Sequence, residues 1–183
     1  MPDFSLQTPR LRIRQLELTD LADFYSYRSK PEVCRYQGFD VFSWDEAKLF
    51  IEENSTKTYG KPGEWVQYAL AHKTTGRVIG DCALHLQAND TRIAQIGITI
   101  HPDEQQKGYA KEALSGIISY LFSTQPIHRV VETVDVENVA SIRLLESLGF
   151  RREGHFVENL FFKGKWGSEY QYALLKREWK GDL

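Results

Sequence analysis

The residues best placed to do chemistry lie where an apolar strand end, Ile98 to Ile100, meets the polar run HPDEQQKGYA and then a long amphipathic stretch. A strand that ends in such a loop and opens a helix points several unpaired backbone N–H groups the same way. With the helix dipole behind them, those groups suit a phosphate or pyrophosphate. Gly108 lets the backbone come close to a ligand, Ala110 is small enough to allow the same, and Lys107 adds positive charge at the rim. The short pattern alone leaves a plain solvated turn open. It has neither the Gly-Lys-Ser/Thr of a P-loop nor the three spaced glycines of a dinucleotide site. A phosphate-bearing ligand here is therefore neither ATP nor NAD bound in the usual way.

The elements that must position this loop can be read from periodicity. Leu11 and Ile13 alternate with Arg10, Arg12 and Arg14, which predicts a strand with one wet face. Thr19 is placed to cap a helix through Arg28, with Asp20 in its first turn, and Pro31 interrupts and restarts it. Ser43-Trp44-Asp45-Glu46 has the form of a capping box, followed by the apolar stripe Ala47, Phe50, Ile51. Residues 65–72 and 77–86 read as strands around Thr74-Thr75-Gly76, and 92–100 as a third. Ala110, Ala113, Leu114, Ile117, Ile118, Leu121 and Phe122 then recur at helical spacing. A strand at 129–134 leads to a short helix capped by Asn138 and stopped by Gly149. Residues 150–162 and 168–176 close the chain as a strand pair around Lys163-Gly164. The expected fold is mixed α/β, a twisted, mostly antiparallel sheet with helices on both faces, formed by residues 1–183 as one domain.

Composition sets outer bounds. The chain has 183 residues, 42% hydrophobic and 26% charged, with a net charge of −2. Bulk charge gives no reason to expect nucleic acid or an anionic membrane as partner. Asp3 and Arg10 break any apolar run at the start, and no stretch approaches the roughly 18 apolar residues of a membrane span. Cys34 and Cys82 stand alone, without metal-ligand or disulfide spacing, as in a reducing cytoplasm. His72, His85, His101, His128 and His155 share no metal-site spacing, so no metal is expected.

Gln105-Gln106-Lys107-Gly108-Tyr109-Ala110 resembles the pyrophosphate loop of the GNAT superfamily of N-acetyltransferases, whose pattern is Gln/Arg-x-x-Gly-x-Gly/Ala. Other segments extend the likeness toward the RimJ/RimL branch: TPRLRIRQLELTD, Gly76 to Gly80, Glu137 to Ile142, Leu148-Gly149-Phe150, Glu153-Gly154 and Gly164-Lys165-Trp166. They span nearly the whole chain in the order and spacing of that branch. The resemblance implies acetyl-coenzyme A as cosubstrate, its phosphates on Gln105 to Ala110. It also implies that the strand before the loop splays from its neighbour at a bulge. Backbone groups around Ile98 and Ile100 would then pair with the pantetheine arm, and Asn138 and Ser141 would approach arm and thiol. Read without it, Asn138 is a helix cap and Ser141 a first-turn residue bonding backbone.

Transfer of an acyl group to an amine needs a base for the amine's proton, donors for the carbonyl oxygen and a proton for the leaving thiolate. Strand amides near Ile98 and the Ser141 hydroxyl would supply the last two. The base is where the chain departs from the family. Where many relatives carry Ala-Glu-Ile-Gly, this chain has Ala94-Gln95-Ile96-Gly97, and Leu160 aligns with the glutamate of certain RimL-like proteins. Regular alternation would put Glu158 on the face of Leu160, which makes Glu158 the candidate base. The expected function is direct acetyl transfer to a primary amine, a protein N-terminus or a small molecule, by a monomer or homodimer. The rivals are a catalytically silent acyl-coenzyme A-binding regulator, favoured by Gln95, and an interaction module with no coenzyme.

Overall fold

Alternating apolar residues build most of a sheet, and amphipathic helices cover it. The computed structural model describes residues 4–181; Asp3 lies outside the described residues. Strands β1 (Leu6–Gln7) and β2 (Leu11–Gln15) precede a 3-10 turn (Leu18–Asp20) and helices α1 (Leu21–Arg28), α2 (Pro31–Cys34) and α3 (Trp44–Asn54). Strands β3 (Trp65–His72), β4 (Val78–Leu86) and β5 (Ile93–Ile100) follow, then a 3-10 turn (Pro102–Glu104) and α4 (Tyr109–Thr124). Strand β6 (Arg129–Asp135), helix α5 (Val139–Ser147), β7 (Arg151–Phe162) and β8 (Lys165–Leu175) complete the order.

The strands form one eight-stranded sheet, β1-β2-β3-β4-β5-β6-β8-β7. Its pairs are antiparallel except β5 with β6, which run parallel. One apolar layer joins α4 and α5 to the sheet through Ile117, Leu121, Leu145, Ile96 and Val130. A second, smaller layer sets Phe24 and Tyr27 of α1 and Ala47 and Ile51 of α3 on the opposite face. Residues 100 and 80 are opposed across β5 and β4, and a Cβ on Gly80 would lie 2.3 Å from the Thr99 carbonyl oxygen. Glycine is thus what lets β4 lie tight against the strand that feeds the loop.

Two local expectations are corrected. Thr19 does not cap α1: the Asp20 carboxylate accepts the Glu17 N–H (2.9 Å) and both terminal nitrogens of Arg14 (2.7 and 2.8 Å), closing a 3-10 turn first. An ion pair thus fixes the entry where a hydroxyl cap was expected. Strand β8 starts at Lys165, not 168, because Lys163 (φ 48°) and Gly164 (φ 83°) make a tight two-residue turn. No helix among the described residues is long and apolar enough to cross a membrane.

Candidate active site

At the end of β5 the loop is built from left-handed backbone. Gln106 (φ 60°) and Gly108 (φ 83°) both have positive φ, and Gly108 occupies the N-cap of α4. The Gly108 carbonyl accepts the Glu112 N–H at 3.0 Å, so the N–H groups of Tyr109, Ala110 and Lys111 have no partner within the helix. These are the amides a pyrophosphate would take, and the cradle fits one. Gln105 turns its side-chain amide back to the Ile100 carbonyl (3.1 Å). Lys107 is not a free rim charge: its ammonium pairs with Glu104 at 3.0 Å. The Tyr109 ring is buried among core residues, so only its backbone faces a ligand.

A second paired cation, Arg10, braces the loop from outside it, a contact that sequence reasoning passed over. Its guanidinium donates to the Lys107 carbonyl (3.0 Å), pairs with Glu112 (2.6 Å) and lies over the Tyr109 ring at 4.2 Å. Thr8 donates to the same Glu112 carboxylate at 2.6 Å. The opening TPRL thus ties the β1–β2 turn to the far loop. Nothing local in the sequence pairs Arg10 with position 107.

Strands β5 and β6 pair only at Ile93–Arg129 and Ala94–Val130, then diverge. The splay forms without the expected bulge, since the β4–β5 register runs unbroken from Gly80–Ile100 to Leu86–Ala94. The gap is a cavity of about 340 Å³ lined by Ile96 and Ile98 on one side and Glu132 and Val134 on the other. Its walls come from both sides of the sheet: Leu114, Asn138 and Ser141 from the α4–α5 face, and Tyr36, Phe162 and Glu169 from the opposite side. The Ile96 N–H points into the gap, so by two-residue alternation the backbone edges of Ile98 and Ile100 face it too. Asn138 accepts the Ser141 N–H at 3.2 Å and so is a helix cap as well as part of the wall. Among the described residues the Ser141 hydroxyl has no protein partner.

Glu132, on β6, was missed. Its carboxylate crosses the gap and accepts the Ile96 N–H. Burial pushes its pKa up to about 8, against the lowering effect of that bond. A signal was present: alternation in RVVETVD sets Glu132 on the face of Val130 and Val134, a charge turned inward.

Glu158 is not where the alternation rule puts it. Between the Phe156–Glu169 and Leu160–Gly167 pairs, residues 157–159 bulge out opposite Ser168. Glu158 has φ 47°, is exposed, and its N–H donates to the Ser168 hydroxyl at 2.9 Å. Leu160 lines the cavity while Glu158 does not, because three residues stand opposite one and the left-handed turn at Glu158 breaks the alternation between them. His155 packs on Tyr170 at the sheet edge, ring centres 4.9 Å apart. Among the described residues no three His, Cys, Asp or Glu side chains are grouped to hold a metal.

Comparison with known proteins agrees with this geometry. A family model described as an acetyltransferase (GNAT) domain matches residues 10–151. The uncharacterized N-acetyltransferase YnaD of Bacillus subtilis is 32% identical over 174 residues, 95% of this chain and 98% of that protein. The [ribosomal protein uS5]-alanine N-acetyltransferase of Escherichia coli is 29% identical over 188 residues, 98% of this chain and 94% of that one. A crystal structure of a GNAT-family acetyltransferase from Bacillus anthracis superposes with a TM-score of 0.85 at 27% identity, covering 96% of this chain and all of that one (100%). A splayed strand pair, a left-handed glycine at the start of the helix behind it and a family match over most of the chain converge: the protein belongs to the GNAT family of acetyl-coenzyme A-dependent N-acetyltransferases.

Proposed function

We propose that the protein transfers an acetyl group directly to a primary amine, in the manner of the RimJ/RimL branch, with donor and acceptor meeting inside the β5–β6 gap. The observation that carries this is the cavity in the β5–β6 gap, whose walls come from both faces of the sheet. When bound, acetyl-coenzyme A supplies an acyl group already activated as a thioester. The amides of Tyr109, Ala110 and Lys111 would hold its phosphates, and the free backbone edge of Ile98 would align its arm. An N–H in that edge also suits the carbonyl oxygen as negative charge gathers there.

The acceptor's mouth carries negative charge. Asp135 and Glu169 line it, and among the described residues neither has an ion-pair partner: Asp135 accepts the Glu137 N–H (2.7 Å) and Glu169 the Asn159 side-chain amide (2.6 Å). Such a mouth favours an amine that arrives as an ammonium, from a polyamine or a peptide N-terminus. Thiol release from acetyl-coenzyme A, measured with spermidine and with a short peptide bearing N-terminal alanine, tests the reading. Direct transfer predicts intersecting initial-rate lines when both substrates are varied. Parallel lines and an acetylated protein would replace it with a covalent route.

Ser141 is the proposed proton source for the departing thiolate, since it lines the cavity and its hydroxyl has no partner among the described residues. Ser141→Ala should lower kcat about tenfold or more and leave coenzyme A affinity almost unchanged. If affinity falls and kcat holds, the hydroxyl only binds.

A further inference from the structure

We propose that Glu132, whose carboxylate spans the β5–β6 splay to the Ile96 amide, is the base that takes the proton from the acceptor amine. The proposal rests on the direct-transfer reading and supplies the group that reading lacks. Geometry comes first. Strand N–H groups lie in the plane of the sheet, so an oxygen bonded to the Ile96 N–H sits in the gap itself. The position is also at the closed end of the splay, two residues beyond the last β5–β6 pair, Ala94–Val130.

Its surroundings leave the carboxylate free to change charge. From β5 it meets a backbone amide and no side-chain charge. From β8 its register partner is Tyr172, whose hydroxyl is already engaged by Glu146 (2.9 Å) and Arg152 (3.1 Å). Ser141 of α5 and Leu114 of α4 line the same cavity, and so do the carboxylates of Asp135, further along β6, and Glu169 of β8. No cation pairs with Glu132 among the described residues. A glutamine could satisfy Ile96 equally well without the cost of burying a charge. A carboxylate there does something an amide cannot, which is to accept a proton.

The steps balance. An incoming ammonium gives one proton to the Glu132 carboxylate, which becomes neutral, and the freed lone pair forms the C–N bond as the thioester C–S bond breaks. The nitrogen's next proton goes to the departing sulfur by way of Ser141. Glu132 then returns its proton to solvent, so acetylation releases one proton net.

The test compares wild type with Glu132→Gln, using acetyl-coenzyme A with spermidine and with the N-terminal alanine peptide, across pH 6 to 9.5, roughly the span over which such a base would titrate. In wild type kcat, measured at saturating amine, should rise with pH through an inflection close to the carboxyl's own value of about 8. Glu132→Gln keeps an acceptor for Ile96, so coenzyme A should still raise its melting temperature. Its kcat at neutral pH should fall about 10- to 100-fold and the inflection in kcat should vanish. A Gln variant with wild-type rate and profile overturns the proposal, and so does one that loses the coenzyme A shift, since Glu132 would then be structural. A carbon-13 titration of the wild-type side chain is independent of the variant's folding: a midpoint in the ordinary glutamate range refutes the base. Wild-type protein that binds coenzyme A but acetylates neither amine removes the acceptor reading instead, while the carbon-13 titration still judges Glu132.

Discussion

Gly108→Glu is expected to abolish the thermal stabilisation that coenzyme A gives the wild-type protein. A ligand at about a hundred times its Kd stabilises by about 2.7 kcal/mol. For a chain of this size that corresponds to a melting shift of about 5–10 °C. Three effects act together at position 108. Its φ of 83° is one that L side chains rarely adopt. A Cβ would come within 3.4 Å of the Arg10 guanidinium, so the new carboxylate would compete for the cation that now holds Lys107 and Glu112. It would also put negative charge at the helix start, against the phosphates. Gly108→Ala separates these effects, since it adds strain without charge. The alanine variant should melt lower yet keep part of the coenzyme A shift, whereas the glutamate variant should show none. If Gly108→Glu responds like wild type, the phosphates do not lie on this loop.

The same loop marks how far sequence could reach. The loop at residues 105–110 and the helix it opens were legible because the pattern is local: a glycine at the N-cap and an amphipathic stripe behind it. The helices and most strands followed from periods of 3.6 and 2, which side-chain direction imposes wherever one face is buried. What failed was non-local or aperiodic. Arg10 meets Lys107 across 97 positions, and only the paired β1–β2 turn brings them together. The splay depends on where β5 and β6 stop pairing, which neither strand announces. Glu158 was misplaced because alternation was carried through residues 157–159, where the chain bulges. Glu132 was the reverse case: its alternation held, and the inward charge went unread because the search for a base followed the family's positions.

Asp81→Ala is expected to cost about 3–5 kcal/mol of stability, the usual penalty for removing one partner of a buried ion pair. Asp81, on β4, is fully buried (0% exposed), and so is Arg28 at the end of α1 (1% exposed). The carboxylate accepts Arg28 Nη2 at 2.5 Å, Arg28 Nε at 3.0 Å, the Tyr27 hydroxyl at 2.7 Å and the Gln67 side-chain amide. Among the described residues Arg28 Nη1 has no hydrogen-bond partner, so Asp81 is what compensates the buried guanidinium's charge. Alanine would leave a buried cation, a hydroxyl and an amide unsatisfied together. Urea denaturation should show a lower midpoint with an unchanged slope. Arg28→Met alone should be milder, because Asp81 keeps Tyr27 and Gln67. The double variant should cost less than the two singles summed, with a coupling of about 0.5–3 kcal/mol. The pair also reaches the acceptor side, since the Arg28 carbonyl holds the Phe42 N–H (3.1 Å) and the Cys34 thiol (3.5 Å), the ends of the segment that carries Tyr36 to the cavity. Asp81→Asn, which keeps the shape and loses the charge, should therefore raise the acceptor KM while the coenzyme A shift stays intact. An Asp81→Ala midpoint equal to wild type would show that this network carries no net stability, and the covering segment would need another anchor.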